Sequence, residues 1–478
     1  MATSKRRSVV LHFDLNRTIL MSDAAGGRTM ENTVDYLLSE CTWGYVNPHR
    51  PSEWICVPDV TNHSRPTLLT YKQFVDEAYP YQSLATAEVQ DIDQIKALNQ
   101  ITKKNRLMLQ SAFTGGKDAP GQSVRDSFKE VMQKLHFPLQ EQREAANELA
   151  ATMPTSSLQE AWSKGRYYLL PSFLQFLAFL ASPDVTEQEL DVKLIFRTFG
   201  DDIEWVAKEL ELLVNGQHPV GLPPLPDRFR LQLEPSACRV ATFYRDGFEA
   251  NGTALALGTL LKVPFPSNEG ADRFYAALSP QIQVIRGFQS IHETLNNMLQ
   301  GATILALRDY YEWWSAHAEE GQYGKLLLIE EMAQKEGDVT IFFDDHIETH
   351  RSHIVDVRTV RSGAPVDFKQ SRGTYLERVE PFAAITDPNY YIALFKKHLY
   401  SSQEKLAMDG QLCERQRSIS PPIKTSKLSL LDAEMELLRT LEEEVTREDE
   451  KSKHDKITAL LIRDDDDDDY DESDDEDT

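Results

Sequence analysis

The sequence predicts an α/β fold built on a parallel sheet, and three observations carry that prediction. Short apolar runs that stop abruptly at polar residues recur along the chain: residues 8–13 before Asp14, residues 192–196 before Arg197 and Thr198, and residues 338–343 before Asp344 and Asp345. Helical stretches separate these runs, as parallel strands joined by crossovers require. With 41% hydrophobic residues over 478 positions, the chain has ample material for a sizeable core, which excludes wholesale disorder.

Taken in order, residues 1–29 contain the first core strand, SVVLHF, opening onto Asp14-Leu15-Asn16-Arg17-Thr18. Residues 30–165 read as a mainly helical insertion or cap, with helical patches over 90–110 and 122–149. Residues 166–214 return to the core: an apolar helix near Pro171, whose position suits a first turn, then the strand at 192–196 and a turn at Gly200. A helix follows, acidic at its start (Asp201, Asp202) and apolar at 203, 206, 207 and 210. Residues 215–290, rich in Pro and Gly, read as a loop-rich insertion with short strands.

Residues 291–400 complete the core, with helical signal at 291–298 and 307–320 and Gly324-Lys325 opening a helix over 326–335. The run ending in Asp344-Asp345 and a further one at 353–358 read as strands. Residues 401–426 read as a linker, 427–463 as an amphipathic helix and 464–478 as a disordered acidic tail.

Charge and composition exclude several functions. The net charge is −25, and twelve of the acids lie in residues 464–478, so the body carries about −13. Such a body offers no general field for a nucleic acid or an anionic membrane surface. The longest apolar stretch, 167–182, spans as a helix roughly 24 Å against about 30 Å of hydrocarbon, so it reads as a buried helix. Cys41, Cys56, Cys238 and Cys413 show neither a disulfide framework nor zinc-module spacing. A cytoplasmic or nuclear protein is expected, with the acidic tail a docking element for a basic protein partner.

In an open parallel sheet, functional groups gather at the carboxyl ends of the strands. Asp14, Thr198, Lys325, Asp344 and Asp345 fall at or beside such ends. Carboxylates from separate strands suit a hard cation such as Mg²⁺, a hydroxyl and an ammonium suit phosphoryl oxygens, and a carboxylate facing phosphorus can attack it.

The order and context of these groups resemble the haloacid dehalogenase (HAD) superfamily of phosphatases and phosphotransferases. Its first motif, a strand ending in Asp-x-Asp-x-Thr, is similar to Phe13-Asp14-Leu15-Asn16-Arg17-Thr18; its second, a strand ending in Ser or Thr, to Phe196-Arg197-Thr198. The third, a Lys often after Gly at a helix start, matches Gly324-Lys325, and the fourth, a strand ending in acids, matches Phe343-Asp344-Asp345. The resemblance covers roughly residues 8–22, 167–214 and 300–360 and implies a HAD-like, Rossmann-type core. It implies that Asp14 is the nucleophile acting on a phosphorylated substrate, and that Thr198 and Lys325 steady the phosphoryl group. By the same resemblance, Asp14, the main-chain carbonyl of Asn16, and Asp344 or Asp345 hold Mg²⁺.

The chain departs from the family at Asn16, where the second acid of the motif stands. An amide donates a hydrogen bond but shuttles no proton at neutral pH. Two readings follow: an enzyme with a rerouted proton path or reactive esters as substrates, or a HAD-fold binding scaffold using the C-terminal helix and acidic tail. His346, His350 and His353 raise a weaker zinc alternative, the aromatic run 310–314 reads as core packing, and Ser418 and Ser420 read as phosphorylation candidates in the linker.

Overall fold

A computed structural model describes residues 6–21, 27–57, 67–82, 92–186, 190–264, 270–317, 319–330, 338–350 and 352–400. All belong to the first of two units, Met1–Asp409; the second is Gly410–Thr478. The expected linker, C-terminal helix and acidic tail, with Cys413, Ser418 and Ser420, lie outside the described residues.

The fold is mixed α/β around a mainly parallel sheet. Its strands are β1 (Arg7–Asp14), β5 (Leu190–Thr198), β6 (Val240–Arg245), β7 (Thr253–Leu257), β8 (Val284–Arg286), β9 (Ile304–Arg308), β11 (Val339–Asp344) and β13 (Leu376–Arg378). They lie in the order β13-β11-β1-β5-β9-β6-β7-β8. The strands from β13 to β6 are parallel; at one edge β7 pairs antiparallel with β6 and β8 antiparallel with β7, so β7 alone of the eight runs against the rest. A separate antiparallel sheet joins β2 (Trp43–Asn47), β3 (Arg50–Cys56) and β4 (Leu69–Thr70), and a parallel pair joins β10 (Lys325–Ile329) to β12 (Val355–Thr359). Among the described residues no helix is long and apolar enough to cross a membrane.

The central strands are apolar on both faces because both faces are covered. Along β5, Leu194 and Phe196 point into one core with Leu11, Phe13, Ile341 and Phe343, while Ile195 points into another with Phe243, Leu305 and Leu307. The first core runs on without a break into residues of the inserted segment, such as Val34, Phe137 and Trp162. On the second face lies the β10–β12 pair: Leu326 and Leu328 join the second core, while Leu327 and Ile329 pack with Phe342 and Val357.

Several elements differ from the sequence expectation. Lys325 does not open a helix; it heads a strand, whose five buried residues read equally well as either element over so short an apolar run. The helix expected over 307–320 is the end of β9 followed by a short helix, Tyr311–Ala316. The run at 353–358 does give a strand, β12, but it pairs with β10 and not with the main sheet. The short strands expected in 215–290 are present as β6, β7 and β8, but they extend the main sheet, and 30–165 contains three strands besides its helices.

Candidate functional site

From β1 outward, the chain adds β5 and β9 on one side and β11 and β13 on the other. The order of the sheet therefore reverses at β1, and in such sheets the crevice beyond the carboxyl ends at that point is where ligands bind. Asp14 ends β1 and Asp344 ends β11, and the register Phe13↔Phe343 makes them neighbours.

Lys325 reaches these two acids from the second face. Its Nζ donates to Asp14 Oδ1 and, at 2.9 Å, to Asp344 Oδ2. Lys325, Asp14 and Asp344 are all buried. Gly324 is needed just before it, because a Cβ there would lie 2.0 Å from the carbonyl oxygen of Ile354, the residue before β12.

The loop after β1 completes the arrangement. Thr18 donates its hydroxyl to Asp14 Oδ2 (3.3 Å), and the Asp345 N–H donates to the same hydroxyl oxygen (3.2 Å). The His346 N–H donates to Asp344 Oδ1 at 2.9 Å, and Arg17 Nε lies 3.1 Å from Asp345 Oδ2. Arg17 takes φ 62°, the left-handed region that non-glycine residues rarely occupy. Its turn is closed by Arg17 N–H to Leu20 O and Leu20 N–H to Leu15 O.

Thr198 ends β5 beside β1 and is fully buried. Its hydroxyl oxygen accepts from Gly200 N–H (2.9 Å), so the hydroxyl hydrogen is what it has to donate. Among the described residues no hydrogen bond ties Thr198 to the acids.

The electrostatics follow from burial. Burial raises the Asp14 carboxyl to about 8; Lys325 pulls it down, while Asp344 and Asp345 push it further up. Asp345 is raised to about 7 by burial and by Asp344, against the pull of Arg17. Burial works against the charged form of Lys325, yet Asp14, Asp344 and Asp309 outweigh it and hold the ammonium above its usual range. Three carboxylates thus face two cations, leaving one negative charge uncancelled.

Oxygens of Asp14, Asp344 and Asp345 lie within 4.8 Å of one another. A hard cation fits this donor set, since it would relieve the crowding that raises two of the carboxyls. No histidine joins this metal-competent group among the described residues, so the zinc alternative finds no support there; His353 instead sits 3.0 Å from the Thr349 carbonyl oxygen.

Asn16 turns its side chain away from the acids: its Nδ2 donates to Asp202 Oδ2 at 3.1 Å. Asp202 is buried, and its other oxygen accepts from Ser157 (3.2 Å) and Tyr168 (3.1 Å). A carboxylate only accepts, so this contact fixes which end of the amide faces it.

Sequence reasoning assigned no role to Thr18, Arg17 or Asp202. Thr18 stood inside the quoted motif, whereas Asp202 carried only the signal of an acid at a helix start. It does occupy the N-cap of the helix Ile203–Val214 but makes no side-chain capping bond, being turned to Asn16. Comparison with family models, curated proteins and solved structures found no match.

Proposed function

We propose that the chain is a HAD-like, Mg²⁺-dependent phosphatase or phosphotransferase in which Asp14 attacks the phosphorus of a phosphorylated substrate. The observation that carries this reading is the meeting of Asp14, Lys325 and Asp344, from three separate strands, at the reversal point of the sheet. Asp14 Oδ1 is the attacking oxygen; the P–O bond to the leaving alcohol breaks, and water later cleaves the aspartyl-phosphate, or a second alcohol accepts the phosphoryl group. Lys325 and the Thr198 hydroxyl steady the charge on the phosphoryl oxygens, and Thr18 orients Asp14. Asp14, Asp344 and Asp345, with the Asn16 carbonyl, would hold Mg²⁺, which supplies charge neutralisation when bound.

Asn16 sets the weak point of the mechanism. With no acid at that position, the leaving oxygen gets no proton from residue 16, and general acid help is typically worth about 10²–10⁴ in rate. Esters with good leaving groups are therefore the favoured substrates. The competing reading, a HAD-fold scaffold, draws its support from the same amide.

The test is turnover of an aryl phosphate by the purified chain, with and without Mg²⁺, beside Asp14→Asn and Asn16→Asp. The proposal expects Mg²⁺-dependent turnover that Asp14→Asn abolishes and Asn16→Asp raises. Turnover indifferent to both variants removes the assignment, and none in any of them favours the scaffold.

A further inference from the structure

Lys325 belongs to a two-stranded sheet that shares no strand ladder with the main sheet, yet its ammonium must meet two carboxylates at the ends of β1 and β11. Apolar packing of β10 against the second face is non-directional and does not set the lysine to within a few tenths of an ångström. Directional bonds must supply that precision, and two buried arginines supply them on either side of the residue.

Arg197 of β5, 1% exposed, donates from Nη2 to the Leu326 carbonyl oxygen at 3.0 Å. Its guanidinium is itself held by both carboxylate oxygens of Asp309, and it lies 3.3 Å from Nδ1 of His12 in β1. Arginine can only donate, so His12 accepts and is neutral; burial first and Arg197 second hold its pKa well below the ordinary value. Arg245 of β6, 3% exposed, donates from Nη1 to the Gly324 carbonyl oxygen at 2.7 Å and from Nη2 to Asp356 Oδ2 at 2.7 Å. Arg358 Nε donates to that same Asp356 oxygen at 2.8 Å. The carbonyls of the two residues that flank Lys325, Gly324 and Leu326, are thus each gripped by a guanidinium rooted in the main sheet.

We propose that Arg197 and Arg245 are positioning residues that clamp the backbone at Lys325 and so set its ammonium between Asp14 and Asp344. The clamp is a statement of geometry; its consequence for turnover rests on the phosphoryl-transfer reading above. Neither arginine touches substrate. Arg197 lies opposite Asp14 in the β1–β5 register, so one strand end holds both the nucleophile's neighbour and one jaw of the clamp.

The test uses the full chain, with acetic anhydride labelling of lysines read by mass spectrometry, and needs no substrate. In the wild type Lys325 is buried and ion-paired and labels slowly. Arg245→Met is expected to raise its labelling at least about tenfold while Lys129 and Lys164, both exposed, keep their rates; Arg245→Lys, which reaches one of the two partners, gives an intermediate rise. Unchanged labelling of Lys325 in Arg245→Met overturns the clamp. If that variant shows no melting transition, Arg245→Lys and Arg197→Lys decide by the same criterion.

Turnover then separates positioning from general support. On an aryl phosphate, Arg245→Met should lower kcat about tenfold with little change in KM, and should lower nothing further in a Lys325→Met background. An arginine of merely structural value costs the same in both backgrounds, which would overturn the proposal. Raised labelling with Lys325→Met turning over like wild type leaves the clamp standing and removes the phosphoryl-transfer reading.

Discussion

Two buried charge clusters meet around Lys325, and they differ in which sign is left in excess. In the first, Arg197 is matched by both oxygens of Asp309, and Arg245 and Arg358 share Asp356. Each carboxylate there has a guanidinium on it, and the other bonded donors end on backbone carbonyls or on His12, while Arg245 Nε has no partner among the described residues. In the second, Asp14, Asp344 and Asp345 are paired among the described residues with Lys325 and Arg17, and two of the acids are pushed far above the usual carboxylate range. Three guanidiniums on two carboxylates leave the first cluster one positive charge over, and its fixed bonds cross-link layers of the fold. A cluster left one charge short holds its acids together against their repulsion, and that is a state a bound cation improves.

The contrast is most sharply broken by removing one acid from each cluster. If Asp14 is the nucleophile we propose, Asp14→Asn should cut aryl phosphate turnover by about 10⁴-fold or more, while leaving the urea midpoint unchanged or raised because a surplus charge is gone. Asp309→Asn leaves Arg197 buried without its partner and should cost about 3–5 kcal/mol in urea unfolding. If Asp14→Asn is the destabilised variant and keeps its turnover, the two clusters have been assigned the wrong way round.

A smaller effect concerns the metal. Asp345→Asn should weaken Mg²⁺ binding, measured by calorimetry, by about tenfold or more, since one charged oxygen ligand is lost. Asp356→Asn, in the arginine cluster, should leave the affinity of the folded protein where it was. Equal losses in the two variants would mean that the acids at 344 and 345 are not where the ion sits.

Smaller again is the pH dependence of stability. An acid whose folded pKa is raised binds its proton more tightly when folded, so the folded state loses ground as pH rises from the unfolded value near 4 towards the folded one. With Asp14 at about 8 and Asp345 at about 7, the Mg²⁺-free chain should lose stability steadily from about pH 5 to pH 8. Asp14→Asn, or saturating Mg²⁺, should flatten that slope. A thermal midpoint that climbs over the same range contradicts the crowding of the acids.

The smallest expected effect separates Asn16 from Asp202. Asn16→Asp sets two carboxyls 3.1 Å apart sharing a proton, so turnover should rise by only about tenfold, short of the full value of a general acid. Adding Asp202→Asn swaps carboxylate and amide between the two positions and should raise turnover further. A fall in the double variant would show that Asp202 is needed where it is.

Much of the site was legible because its chemistry sits at strand ends. The run 8–13 stopping at Asp14 and the run 338–343 stopping at Asp344 mark their own boundaries, since apolar residues covered on both faces cannot tolerate an unmatched acid. Lys325 was found by its residue type and its preceding glycine, but its element was misread: Leu326, Leu327, Leu328 and Ile329 carry no periodicity that separates strand from helix. Arg197 and Arg245 were invisible as partners, because nothing local in Phe196-Arg197-Thr198 points to Asp309 more than a hundred residues away.

The sequence by itself determined the α/β class, the strand ends that carry acids and the amide at position 16, because each depends on residues adjacent along the chain. The tertiary fold sets that β10 leaves the main sheet, that Asn16 bonds to Asp202, and that two guanidiniums grip the carbonyls of Gly324 and Leu326 on either side of Lys325. The physical reason is the same in each case. Buried charges are placed by the partners that offset their desolvation, and those partners come from elements far apart in the chain.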